Sequence, residues 1–302
     1  MLKKFIVNKD YHNSRFDRWF KQNVSDVPQS LIEKFIRKNK VKINRKKTKT
    51  KYRVQLNDVI EVYGTEDLKP KDQSKKIKYK PSEKEKNKYG EFIIENNDNF
   101  IVINKPSGIP VQSGTKSFKN IIDTLRNTKY FENTKPFVVH RLDKETSGVM
   151  IVAKNREYAQ LFTSLFRIRK IHKTYLAIAH GQVNKDISLL QDNLIIYENN
   201  KKIVQKAISY LKILNSNNKY SLLELKPITG RKHQLRKQLY NIGNPVVGDD
   251  KYFIKLEKNK LKSKNLLLHA YKIKFMINNV KYNFEAKYDD HFNNFIKKNI
   301  KS

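Results

Sequence analysis

The sequence predicts an α+β protein: a mixed, largely antiparallel sheet in a larger domain, with a small α+β module in front. Three observations carry that prediction. Apolar runs of strand length recur along the chain without a regular strand–helix alternation. Stripes at helical spacing separate only some of those runs. A lysine-rich stretch broken by Pro70 and Pro81 divides a short front segment from a much longer remainder. The boundaries read as 1–64 for the front module, 65–90 for a basic linker and 91–302 for the larger domain.

In the front module, Ser14 is expected to cap a helix whose Phe16, Trp19 and Phe20 share one face. Ser30, with Glu33 three residues on, reads as a capping box for a second helix. Leu31, Ile32, Phe35 and Ile36 form its apolar stripe. Strand-like segments follow at 41–44 and 59–63, the latter after the turn pair Asn57-Asp58. Between them, residues 40–53 hold Lys40, Lys42, Arg45, Lys46, Lys47, Lys49, Lys51 and Arg53 and no acid. Such a run is either a solvated loop or an electrostatic handle on a folded base. The apolar faces just before it favour the handle.

The larger domain opens with strand-like residues 92–104 and a turn at 105–108 (KPSG). A short helix is expected over 117–127. Residues 137–140 are apolar up to His140, and 149–153 (VMIVA) read as a buried strand. Asn155 caps a helix with Tyr158, Leu161, Phe162 and Leu165 on one face. Further strands are expected at 173–181, 207–214, 220–228 and 266–277. Between the last two, Leu235, Leu239 and Ile242 mark a helix that ends at Gly243.

Lys and Arg total 64 against 29 Asp and Glu, a formal net charge of +35. That balance points to polyanions, nucleic acid first. Of the 64, 52 are Lys, beside many Asn, Ile and Tyr, a bias that AT-rich coding produces without selection for binding. The position of the charge therefore informs more than its sum. The chain has no Cys, which removes disulfide scaffolds, thiol nucleophiles and cysteine zinc sites together. No run approaches 18 uncharged apolar residues, so no membrane partner is expected. The first residues, MLKKFIVNKDYHN, lack an apolar core with a small-residue cleavage site, and a cytoplasmic location is expected.

The loop 140–148, HRLDKETSG, lies between two apolar strand runs. It offers one carboxylate, Asp143, beside Arg141 and His140. From its residues alone it reads as either a surface Asp-Arg turn or a site. The complete string resembles the signature of the RluA-type pseudouridine synthases, enzymes that isomerise uridine in RNA. The resemblance continues in order. NKPSGIPV (104–111) is similar to that family's first motif, and KTYLAIAHG (173–181) to its active-site tyrosine segment. ITGRKHQLRKQL (228–239) is similar to its third block, and NPVVGDDKY and LLLHA complete the series. The likeness spans roughly residues 92–290. The phrase from Arg15 to Asn44, followed by NDVIEVY, resembles the small RNA-binding module first seen in ribosomal protein S-four. The combination is closest to the RluC type, which acts on large-subunit ribosomal RNA. Departures stand at Gln112, Lys232, Lys237 and Gln238, where the family usually carries His, a small residue, a hydrophobic residue and His.

The resemblance implies a pseudouridine synthase fold and Asp143 as the catalytic carboxylate. It implies Tyr175 as the active-site tyrosine and Arg236 as the arginine paired with Asp143. It implies large-subunit ribosomal RNA, or its assembling subunit, as partner to a monomer. Arg141 is expected to fill the stack vacated by an extruded uridine. Lys232 and His233 are expected to face RNA phosphate or to close the helix start. His140 is expected to be structural, and Lys105 and Pro106 to shape the pocket wall. The reaction breaks the bond from sugar carbon 1′ to the base nitrogen, turns the uracil and rejoins it through carbon 5. No electrons are exchanged and no phosphate is cut, so neither cofactor nor metal is expected. An ionised carboxylate has three routes: covalent attack on carbon 1′, stabilisation of the sugar cation, or removal of the 2′ proton. Two other functions fit the same residues, a non-catalytic RNA-binding ribosome-assembly factor and a hydrolase that releases free uracil.

Overall fold

The computed structural model describes residues 2–68, 81–82, 90–112, 119–198, 201–253 and 265–300. The chain divides into two compact units, Met1–Ile77 and Lys78–Ser302. The expected linker composition at 69–80 and 83–89, and the first two residues of the helix expected over 117–127, lie outside the described residues.

The first unit runs β1 (Leu2–Ile6), β2 (Ser14–Arg15), α1 (Phe16–Asn23), α2 (Gln29–Arg37), β3 (Val41–Ile43), β4 (Lys46–Lys47), β5 (Arg53–Val54) and β6 (Val59–Tyr63). Its main sheet has the order β1-β6-β3-β4 and is antiparallel throughout. Phe16, Trp19, Phe20, Ile32 and Phe35 are buried together against Val41, Ile60 and Val62, as the two helical stripes anticipate. Both expected caps differ. Ser14 lies in β2 with its hydroxyl bonded to Tyr11 O, and Arg15 holds the N-cap position of α1. The second helix starts one residue before Ser30, behind Pro28, with no side-chain cap. Pro28 itself holds the N-cap position with extended backbone, which displaces Ser30 from it. The unit does not end at residue 64: Leu68 packs into the same core after a short turn at Thr65–Asp67.

The basic run 40–53 is folded. Asn44 and Arg45 both take positive φ, 49° and 64°, and make the two-residue turn that joins β3 to β4. The Asn44 side chain fixes the turn by donating to Asp58 Oδ1 at 2.8 Å and accepting from Val59 N at 2.8 Å.

The second unit runs β7 (Ile93–Asn96), β8 (Phe100–Lys105), α3 (Ile121–Arg126), β9 (Phe137–Val138), β10 (Ser147–Ala153), α4 (Arg156–Arg167), β11 (His172–His180), β12 (Leu189–Glu198), β13 (Lys201–Ser216), β14 (Tyr220–Pro227), α5 (Gln234–Asn241), β15 (Leu268–Ile277), β16 (Val280–Glu285) and α6 (Asp290–Asn299). One sheet has the order β12-β13-β14-β11-β15-β10-β8-β7, with β16 on β15 and β9 on β10. Every pairing is antiparallel except β10 with β15. This is the expected α+β class. Asn155 caps α4 by accepting from Tyr158 N, and Phe162 on that helix is fully buried against Phe100 and Phe275. Four aromatic residues of β15, β16 and β8 close the same layer.

The parallel contact of β10 with β15 positions the central loop. Only Ser147 and Gly148 pair, with His269 and Ala270. Gly148 has φ of 112°, and a Cβ there would sit 2.2 Å from Ala270 O, so the close approach requires glycine. Ser147 Oγ lies 2.9 Å from His269 Nδ1, and His269 Nε2 lies 2.9 Å from Ala286 O. The carbonyl accepts only, so Nε2 carries the proton and Nδ1 accepts from the serine hydroxyl.

Candidate active site

Residues 139–146 leave β9 and enter β10, and both ends of this loop are held. At its start, His140 Nε2 accepts from Ile151 N at 2.9 Å, and its ring lies 4.6 Å from that of Phe166. Burial, with the nearby Lys173 charge, pulls the His140 pKa down to about 3, so the ring stays neutral and structural. At the loop's middle, Lys105 is wholly buried and donates to the carbonyls of Pro106, Ile109 and Lys144 at 2.8–3.1 Å. Burial lowers its pKa to about 7, opposed by Glu145 and Asp143. Ser107 Oγ donates to Glu145 O at 2.7 Å. Lys105 thus ties the 105–109 turn to the 143–146 turn.

Asp143 stands in the loop with its side chain 28% exposed. Its neighbour Arg141 is exposed and makes no ion pair or hydrogen bond among the described residues. Tyr175 is half-buried on β11, where the pairing with β15 shifts register between Thr174 and Tyr175. Such a bulge re-aims a side chain. Burial raises the Tyr175 pKa and the charge of Asp143 adds to it, so its hydroxyl stays protonated.

Arg236 projects from α5 and is 3% exposed. The expected pairing with Asp143 is not made. Its Nε and Nη2 donate to Asp249 at 2.6 and 2.5 Å, and Nη2 reaches Asp250 at 3.1 Å. A buried guanidinium needs a two-pronged partner at rest. Asp249 supplies it, being fully buried itself, whereas Asp143 remains partly open to solvent. The guanidinium also lies 5.3 Å over the ring of Tyr252. Burial works against the Arg236 charge, but Asp249 outweighs that and raises its pKa, with Asp143 and Asp250 adding to the effect. The charge of Asp143 adds to the upward shift at Tyr175 and at Arg236.

A residue expected elsewhere stands close to Asp143. His233 Nε2 lies 3.8 Å from Asp143 Oδ1, with the side chain only 12% exposed. It does not face solvent as a phosphate contact would, and it makes no cap bond to α5. Lys232 beside it is exposed. The stretch before α5 is shaped by Gln234, whose Oε1 accepts from Thr229 Oγ1 and Arg231 N, and whose Nε2 donates to Ile208 O and Ser209 Oγ. Gln238, one of the departures, is buried and bonds Ser209, Leu190 and Ala207, fastening α5 to β12 and β13. Asp249 and Tyr252 were not singled out from sequence. Two adjacent acids after the apolar Val246-Val247, in so acid-poor a chain, were the signal available.

In the first unit, Arg45, Lys46, Lys47, Lys49 and Lys51 are exposed. The other three are engaged. Lys40 pairs with Asp67 at 2.6 Å, Lys42 lies 5.8 Å over the Tyr63 ring, and Arg53 donates to Asn13 O at 2.9 Å. The absence of acids within 40–53 hid Lys40's partner, which lies 27 residues on.

A family model described as RNA pseudouridylate synthase matches residues 99–241. The chain is 33% identical over 281 residues to the ribosomal large subunit pseudouridine synthase C of Buchnera aphidicola subsp. Baizongia pistaciae, covering 89% of this chain and 88% of that protein. It is 34% identical over 272 residues to the protein of the same name from Rickettsia felis, covering 85% and 87%. Among solved structures, human RNA pseudouridylate synthase domain containing 4 is 27% identical with a TM-score of 0.59, covering 70% of this chain and 94% of that one.

Proposed function

The chain belongs to the RluA-type pseudouridine synthases, and from that membership we propose that it isomerises specific uridines in large-subunit ribosomal RNA, with Asp143 acting on the sugar. The observation that supports the site assignment is geometric: the partly exposed Asp143 lies 3.8 Å from His233, the residue that opens the helix carrying Arg236. The relatives named above, matched along most of their length, support the ribosomal substrate.

In this reading Asp143 meets carbon 1′ of an extruded uridine, partly open to solvent and held by the Lys105 ties behind it. Tyr175 offers a flat ring to the freed uracil. Once the base has turned and rejoined through carbon 5, the Tyr175 hydroxyl takes up the carbon-5 proton as it gives its own to solvent. Arg236, immobilised by Asp249, holds a fixed positive charge near the carboxylate. Arg141, exposed beside Asp143, occupies the gap left in the RNA stack. Arg45, Lys46, Lys47, Lys49 and Lys51 bind RNA phosphates from the first unit, with Lys232 doing so beside the site. No described helix is long and apolar enough to cross a membrane. The proposal includes action in the cytoplasm, as a monomer.

The test is tritium release from transcribed large-subunit ribosomal RNA labelled at uridine carbon 5, free and in partly assembled particles. Wild type is expected to release tritium and leave pseudouridine in the digest, and Asp143→Ala to release none. Free uracil in place of pseudouridine would mean a hydrolase. Binding without release on every substrate would mean an assembly factor.

A further inference from the structure

We propose that His233 is a positioning residue for Asp143: a neutral imidazole, fixed by Tyr252, that turns an N–H toward one carboxylate oxygen and leaves the other free for the sugar. The inference rests on the reading of Asp143 given above.

Four features of the geometry converge. His233 takes φ of 53° and ψ of 32°, a left-handed conformation that costs energy for any residue with a side chain. Its Nε2 lies 3.8 Å from Asp143 Oδ1. On its other side, Nδ1 lies 3.0 Å from the Tyr252 hydroxyl, with the two rings edge to face at 5.7 Å. Tyr252 is fixed in turn, because its backbone N–H donates to Asp249 Oδ1 at 3.0 Å and its ring lies under Arg236. A continuous chain therefore runs from the buried ion pair through Tyr252 and His233 to Asp143.

The proton's place follows from the partners. If the Tyr252 hydroxyl donates to Nδ1, the neutral ring carries its proton on Nε2 and presents a donor to the carboxylate. The opposite tautomer would set a nitrogen lone pair against a carboxylate oxygen, which is repulsive. Burial opposes the imidazolium, as do the charges of Arg236, Lys251 and Lys232, and Asp143 alone among the facing groups favours it. At 3.8 Å the contact is too long for a hydrogen bond. Catalytic hydrogen bonds are often long without substrate and tighten in the complex. A carboxylate bonded through Oδ1 has its second oxygen directed, which fixes the approach to carbon 1′.

Two measurements on the full chain test this. The first is the imidazole ¹⁵N spectrum of His233 near neutral pH. It should show the Nε2–H tautomer in wild type, with an Nδ1 resonance shifted by the hydrogen bond it accepts, a shift that Tyr252→Phe removes. A wild-type Nδ1–H tautomer, or a spectrum indifferent to Tyr252→Phe, overturns the proposal without any appeal to activity. The second is steady-state tritium release. His233→Asn tolerates the left-handed backbone but is too short to reach Asp143, and should lower kcat about tenfold or more with KM nearly unchanged. His233→Gln, which restores a donor of similar reach, should recover part of that loss. A raised KM with kcat intact in His233→Asn would make His233 an RNA contact and overturn the proposal. An inactive wild type with the expected spectrum would instead count against the proposed function.

Discussion

Removing Asp249 should reveal what holds Arg236 in the site. The Asp249 carboxylate accepts four bonds, two from Arg236 and one each from Lys251 N and Tyr252 N at 2.9 and 3.0 Å. Its side chain is fully buried, and that of Arg236 is 3% exposed. Asp249→Ala leaves a buried guanidinium without its bidentate partner, a change that costs about 3–5 kcal/mol. Asp250 offers partial relief through one 3.1 Å contact, but its side chain is 68% exposed and such a pair contributes about 1 kcal/mol or less. The net loss should be about 3 kcal/mol. With a urea slope of about 2 kcal/mol per molar, the midpoint should fall by about 1.5 M. The assay is urea unfolding of the full chain by circular dichroism. Trp19, the single Trp, sits in the first unit, so its fluorescence transition should not move. Asp250→Ala should shift the dichroism midpoint little. The double change Arg236→Met with Asp249→Leu should recover most of the loss, because no charge is left buried. Equal midpoints for Asp249→Ala and Asp250→Ala would refute the reasoning.

Acid should destabilise the second unit through His140: its folded pKa is lowered from 6.5 to about 3, so the unfolded state binds the extra proton in that window. Stability is then intact above pH 6.5 and falls as pH drops towards 3, by up to about 1.4 kcal/mol per unit. His140→Gln, read by denaturation at pH 7 and pH 4, should flatten that slope. Gly148→Ala should cost about 3 kcal/mol, since its Cβ meets the Ala270 backbone at positive φ, and thermal melting should show it. Replacing Arg45, Lys46, Lys47, Lys49 and Lys51 with Ser should weaken ribosomal RNA binding. It should also reduce the slope of log affinity against log salt by about 0.7–0.9 for each phosphate that the variant no longer neutralises. An unchanged slope would remove that face from the RNA interface.

Much was legible in the residues themselves. Period-3.6 stripes placed Trp19, Phe35 and Phe162 in cores, since a helix face is set by spacing alone. Asn155 was legible as a cap because its partner is three residues away. Ser14 departs from the expected cap because the Tyr11 carbonyl takes its hydroxyl, and Ser30 because the helix already starts at Gln29 behind Pro28. Strand β12 escaped notice, since Gln191, Asp192 and Asn193 interrupt its apolar residues.

The sequence by itself determined the class of fold and the order of motifs, and through its resemblance it nominated Asp143, Tyr175 and Arg236, because those are properties of short strings and their succession. The partners of those groups were decided only in three dimensions. Arg236 turned to Asp249 and not Asp143 because burial rewards the carboxylate that is itself buried. Lys105 reached three carbonyls from two different turns, one of them 39 residues away. His233 came to Asp143 through one left-handed residue, a backbone torsion that nothing in its neighbours' identities announces. A motif names the groups a site uses, but the pairing among them follows from which charges the packed chain buries and which it leaves in water.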